Sequence, residues 1–253
     1  MILWLSLKIY IIIKNGILQK FNKEKIMRKY GVFDILGPIM IGPSSSHTAG
    51  AARLGKLAGS IADGPVKKVT FLLHGSFAKT YRGHGTDRAL VAGILGMDPW
   101  DEQLRDSIDI AEERGIEIKF QEADLGDVHP NTVKFIIEKE DGDIVTVMGS
   151  SIGGGSVVIT EVNGEEIEFT GEYPTIIIHH KDLPGMISKV TRLLYEKEIN
   201  IAFMKVFRTV KGSSANMIFE TDNEIPENIV EAILAVENIE KVKVINPVKE
   251  GEI

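Results

Sequence analysis

Two dipeptides constrain this chain more than any other feature in it. Asp141-Gly142 separates TVKFIIEKE from DIVTVMG, and Asn163-Gly164 separates SVVITEV from EEIEF. A type I′ turn needs positive φ at both central residues, and Asp-Gly and Asn-Gly supply it at low cost. Apolar residues recur at alternate positions on either side, the period of a half-buried strand. The chain is thereby committed to two antiparallel hairpins, and what remains must cover them.

The residues upstream supply helices. Leu54, Leu57, Ala58 and Ile61 fall at i, i+3, i+4 and i+7 and predict a helix. VKKVTFLL (66–73) reads as a buried strand, Ala89 to Leu95 as a second helix, and Asp101 to Arg114 as a more polar one. Val32 to Ile41 reads as a strand or turn closed by Gly42-Pro43. After Gly171-Glu172-Tyr173-Pro174 the pattern changes to strand (TIIIHH), helix (185–197), strand (INIAFMKVFRT), Lys211-Gly212 turn, strand (SANMIFETD), helix from Pro226, and strand (KVKVIN). The first of these helices sets Met186, Val190, Leu193 and Leu194 on one face, and the second sets Ile229, Ile233 and Val236. This βαββαβ order is ferredoxin-like. The fold class is therefore α+β. A mixed α/β domain with antiparallel hairpins spans 27–171, a ferredoxin-like domain spans 172–248, and 249–253 form a tail.

Charge and cysteine content narrow the function. Lys and Arg number 29 against 36 Asp and Glu. Residues 1–26 hold five lysines and one glutamate, which leaves 24 basic against 35 acidic residues in the remainder. So acidic a body lacks the basic footprint of a nucleic-acid binder and has no attraction for anionic lipid. There is no cysteine, so no disulfide, no thiol nucleophile and no thiolate for zinc or an iron–sulfur cluster. A cytoplasmic location is expected, with no membrane and no nucleic-acid partner.

Met1 to Ile13 (MILWLSLKIYIII) is too short to cross a bilayer, which takes about 20 apolar residues. Lys8 lies inside the apolar run and no small-x-small cleavage site follows, so a secretory signal does not fit. A weak interfacial anchor, or an extension from an upstream start codon with Met27 as the usual first residue, are the two readings. The second is favoured.

Four histidines lie in the first domain. Ser44-Ser45-Ser46-His47-Thr48 stands before the first predicted helix. A single Ser suffices to cap a helix, and the run leaves hydroxyl and N–H donors at its positive end for a carboxylate or phosphate. Arg82-Gly83-His84-Gly85-Thr86-Asp87 falls between a strand and a helix. The glycines allow close approach, Thr86 can cap the helix, and its positive end would keep the His84 imidazole neutral and able to accept a proton. The competing reading is a loop histidine bonded to Asp87. His129-Pro130-Asn131-Thr132 reads as a turn, His74 as packing, and Gly149 to Gly155 as an anion nest or a flexible connection between the hairpins. Asp182-Leu183-Pro184-Gly185 joins strand to helix in the second domain, after a strand-end pair, His179 and His180.

Taken in order, GPSSSHTAGAARLG, GHGTD, HPNT and SSIGGG resemble the β subunit of the bacterial iron–sulfur L-serine dehydratases, and KDLPGMISKVTRLLYEKEINIA resembles an ACT domain. The resemblance implies a partner α subunit whose cysteines hold a [4Fe–4S] cluster, and the β-elimination of L-serine to pyruvate and ammonia. The cluster's open iron would act as Lewis acid on the leaving hydroxyl. It implies His84 as the proton acceptor and Ser44, Ser45, Ser46, His47 and Thr48 as substrate-binding, with Asp87, and with His129 and Asn131 lining the pocket. No residue of this chain is implied as a metal ligand. Asp182, Gly185 and Asn200 would mark an effector region, and the ACT domain implies a homodimer contact through its strands. An alternative resemblance is to the allosteric substrate-binding and ACT domains of some phosphoglycerate dehydrogenases, a sensor without catalysis. A sensor has no use for the exposed base of Gly83-His84-Gly85, and a purely structural scaffold has none for the Ser-Ser-Ser-His cap.

Overall fold

The computed structural model describes residues 39–208 and 211–247. The expectations for residues 1–26, for most of the 32–41 segment and for the 249–253 tail lie outside them. The described chain opens with a single π-helical turn, Ser45–Ala49, which leads into helix α1 (Gly50–Ala62). Strand β1 (Val66–Leu73) follows, then helices α2 (Gly75–His84) and α3 (Thr86–Ile94). A 3-10 turn (Glu102–Asp106) and α4 (Ser107–Glu113) precede β2 (Glu117–Glu122). Four strands complete the first sheet: β3 (Thr132–Lys139), β4 (Ile144–Gly153), β5 (Ser156–Val162) and β6 (Glu165–Phe169).

The sheet order is β2-β1-β3-β4-β5-β6, parallel only between β1 and β2. Its register sets Val69, Phe71 and Leu73 opposite Ile137, Phe135 and Val133. All six are fully buried, as strict period-two alternation requires of one covered face. Leu54, Leu57 and Ala58 of α1 and Leu90 and Val91 of α3 complete this core.

Glycine lets the covering helices meet. A Cβ at Gly93 of α3 would sit 2.1 Å from the Ala52 carbonyl oxygen, and one at Gly55 of α1 would sit 2.3 Å from the Leu90 carbonyl oxygen. Backbone touches backbone here, and α3 is thereby held against α1.

The second sheet holds β7 (Thr175–Lys181), β8 (Ile201–Arg208), β9 (Ser214–Thr221) and β10 (Ile239–Ile245), ordered β10-β7-β9-β8 and antiparallel throughout. Helices α5 (Met186–Glu196) and α6 (Glu227–Leu234) cover one face through Met186, Val190, Leu194, Ile229 and Ile233. The ferredoxin-like reading of the sequence is the architecture found. The other face turns to the first sheet: Ile218 and Ile245 join the first core, Thr170 donates twice to Glu220, and Lys243 Nζ donates to the Ile61 carbonyl oxygen at the end of α1.

Three expectations are corrected. Residues 75–84 form helix α2, so His84 ends a helix and does not sit in a loop after the strand. Residues 149–155 are no flexible connection: β4 runs on to Gly153, pairs with Ser156, and makes a third hairpin at Gly154-Gly155. The polar helix expected over 101–114 is divided into the 3-10 turn and α4.

Gly93→Ala is expected to cost about 1–3 kcal/mol by overpacking against the α1 backbone. Gly83→Ala, with no atom of the described residues outside its own helix within 4 Å of the added Cβ, should leave stability unchanged or raise it by up to about 1 kcal/mol. Urea unfolding of the two variants checks the contrast.

Candidate active site

The π-turn places His47 at its centre. Ser44 has extended backbone, and its Oγ accepts from the His47 amide at 3.3 Å, so the first serine does cap. His47 is only 8% exposed. Ser44 Oγ and Ser46 Oγ lie 3.4 and 3.3 Å from Nδ1, and Ser76 Oγ lies 3.3 Å from Nε2. A neutral imidazole donates from one nitrogen and accepts at the other, so the hydroxyls satisfy both. Phe77 meets the ring edge-on at 5.2 Å between centroids, and the His84 ring does so at 4.9 Å and 86°. Burial, reinforced by repulsion from His84, holds His47 below its ordinary value of 6.5.

His84 is exposed beside it. It closes α2, and Gly85 (φ 70°) turns the chain through the left-handed region into α3. Among the described residues, chain neighbours and the helix's own backbone aside, no atom lies within 4 Å of a Cβ built on Gly83 or Gly85, so the space on both sides of His84 is open. The carbonyl end of α2 and the amide end of α3 meet at this residue, so the one-sided dipole expected from the sequence is replaced by two opposed ones. Thr86 is the first residue of α3 and not its cap, and its buried hydroxyl finds no partner among the described residues.

A cleft of about 530 Å³ opens at His84, lined also by Thr48, Arg82, Asp87, Arg88 and Arg105. Thr48 Oγ1 is buried without a partner among the described residues, and a Cβ on Gly42 would fall 2.3 Å from it. Asp87 accepts from the Arg88 amide at 2.9 Å. Ser45 contributes its carbonyl oxygen, which accepts from the Gly50 amide.

The HPNT segment joins through its backbone. Pro130 O accepts from the Ser76 amide at 2.8 Å, and Asn131 O accepts from the Ser151 amide at 3.0 Å. The His129 ring itself accepts from the Asn131 amide and opens on a different depression with Ser150, Ile152, Glu161 and Glu166. His74 caps the space before α2 and accepts from the Leu125 amide at 3.2 Å, a packing role as expected. Sequence reasoning missed Ser76, Arg88 and Arg105. Ser76 follows a strand-end His74-Gly75 and opens a helix, a signal of the same kind as Gly85-Thr86, whereas nothing in the spacing of the arginines marks them.

In the second domain, Asp182 Oδ2 accepts from the Gly212 amide at 2.9 Å and from Arg208 at 3.3 Å, and these donors hold its carboxyl below the usual range. Gly185 (φ 89°) opens α5, and Asn200 Nδ2 donates to Asp222 at 2.6 Å beyond the far end of that helix. Eleven residues of α5 span about 16 Å, so within one chain Asn200 does not share a site with Asp182 and Gly185. A cleft of about 440 Å³ between the sheets, with Lys139, Glu165, His179, Lys241 and Lys243, is separate from both regions. Among the described residues no helix is long and apolar enough to cross a membrane, and no cluster of three His, Asp or Glu residues could hold a metal ion.

Comparison with known proteins places these residues in a family. The serine dehydratase beta chain family matches residues 31–162, and the ACT domain matches residues 174–238. The probable L-serine dehydratase beta chain of Bacillus subtilis is 44% identical over 213 residues, 84% of this chain and 96% of that one. The L-serine dehydratase beta chain of Peptoniphilus asaccharolyticus is 43% identical over 218 residues, 86% and 98% of the two chains. D-3-phosphoglycerate dehydrogenase of Methanocaldococcus jannaschii is 31% identical over 205 residues, 78% of this chain but 37% of that one.

Folded His47 holds its proton less tightly than the unfolded chain does, so unfolding takes up a proton between the lowered value and 6.5. Its contribution to stability is complete above 6.5 and declines as pH falls towards the lowered value. The urea midpoint should therefore drop between pH 7.5 and 5, and His47→Gln should show a shallower drop. An unchanged slope in that variant would place the acid sensitivity elsewhere.

Proposed function

The chain belongs to the serine dehydratase beta chain family, and from that premise we propose that it is one subunit of a two-chain enzyme that converts L-serine to pyruvate and ammonia, with His84 as the base. The observation that carries this reading is the exposed His84 ring at the mouth of a cation-lined cleft, set edge-on against the buried His47. His84 takes the α-proton and passes it to the departing β-hydroxyl, which leaves as water, and the aminoacrylate so formed tautomerises to an imine that water hydrolyses to pyruvate and ammonia. His47 positions His84: its own nitrogens are occupied by Ser44, Ser46 and Ser76, and its ring fixes one side of the base.

The chain has no cysteine, so it does not fit a [4Fe–4S] cluster, and the reading assigns that group to an α partner. When bound there, it would supply Lewis-acid assistance to departure of the hydroxyl. A homodimer through edge strand β8 is part of the same proposal. Met204 and Val206 of β8 are 44% and 39% exposed, apolar side chains on a strand that forms the sheet edge among the described residues. The sensor reading draws on the likeness to phosphoglycerate dehydrogenase. It leaves the open space around His84 without a purpose.

The purified chain alone should be colourless and should release no pyruvate from L-serine. Anaerobic assembly with an α chain should yield serine-dependent pyruvate, followed by coupled reduction. Turnover by this chain alone would overturn the assignment of the cluster to a partner, and an assembled, cluster-loaded complex inert towards serine would overturn the reaction.

A further inference from the structure

We infer that Arg82, Arg88 and Arg105 form the subsite that grips the carboxylate of the amino-acid substrate, a deepening that rests on the dehydratase reading above. Most of the hydroxyls that the sequence offers for this task are engaged elsewhere: those of Ser44 and Ser46 lie on Nδ1 of His47, and Thr48 is buried beneath Gly42. The cleft that exposes His84 is lined instead by three arginines, with Asp87 as its one acid.

Among the described residues none of the three arginines has a carboxylate partner, whereas Lys56, Lys68 and Lys134 elsewhere on the domain are paired at 2.6, 2.7 and 2.6 Å. Three unpaired guanidinium groups around one cleft of an acidic protein make a local field that an anion would neutralise. The planar fork of arginine matches a carboxylate in two-point contact, which the point charge of lysine does not.

Arg88 is the best placed of the three. Its amide donates to Asp87, its carbonyl oxygen accepts from Ser107 Oγ at 2.7 Å, and it lies in the first turn of α3, where the amide end adds positive potential. Arg82 adjoins the face of Tyr81, with 5.4 Å between guanidinium carbon and ring centroid. Asp87 completes the match to a zwitterion, since its second oxygen can take the substrate ammonium. The α-carbon would then lie between the two charges, on the side of His84.

The test uses the assembled, cluster-loaded complex. Arg88→Gln should lower kcat/KM for L-serine at least tenfold, with the fall carried by KM, and Arg88→Lys should lose less. Arg82→Gln and Arg105→Gln should show smaller rises in KM. L-alanine, which has the carboxylate but no leaving hydroxyl, should inhibit the parent complex at least tenfold more strongly than L-alaninamide, and Arg88→Gln should erase that preference. KM within twofold of the parent in all three Gln variants would overturn the inference while leaving the reaction intact, as would a loss confined to kcat. If the complex proves inert towards serine, calorimetric binding of L-alanine still decides: no binding, or binding unchanged by Arg88→Gln, overturns the subsite.

Discussion

The imidazole of His47 is the point on which the site depends. Hydroxyls from Ser44, Ser46 and Ser76 close on its two nitrogens, while Phe77 and His84 meet its faces and edges. Each neighbour belongs to a stretch of chain fixed by something else. Ser76 is tied to the Pro130 carbonyl oxygen, Asn131 to Ser151, and α3 to α1 through glycine contacts. Burial leaves the ring neutral, and a neutral ring is what two sets of hydroxyls can satisfy without a counter-ion. Protonating it would strand a charge in the core.

From that centre the proposed chemistry divides. The reading gives the buried histidine a positioning role and gives the exposed one, held at the end of α2 between two glycines, the role of base. The cleft before it is cationic although the protein is acidic, because among the described residues its arginines lack the carboxylate partners that other basic residues of the domain have. The second sheet stands apart from this work and presents its open face to the first core, with Lys243 closing the end of α1.

How far the sequence could be read follows from the range of each signal. Asp141-Gly142 and Asn163-Gly164 act on their own neighbours, so the hairpins were legible, and so were the periodic faces of α1, α5 and α6. Helix α2 was not, because GSFAKTYRGH buries only Phe77 and Ala78 and carries glycine at both ends. Strand β2 escaped as well: Ile118 and Phe120 alternate with Glu117, Lys119 and Gln121, but over six residues at a sheet edge. The motif histidines and serines were visible as candidates. Their grouping was not, since it depends on contacts such as His47 to Ser76, 29 residues apart, and Arg53 to the Gly155 carbonyl oxygen, 102 apart. The same limit applies to Asp182 and Asn200, which look like one region along the chain and are separated by the length of α5.

The central claim is that this subunit contributes the base and its partner the metal. The direct measurement is kcat of the anaerobically assembled complex carrying His84→Ala, with the iron and sulfide content of the partner checked and imidazole added back. The account predicts a loss of at least about 100-fold at unchanged cluster content, partly restored by imidazole. A kcat close to that of the parent complex would contradict it.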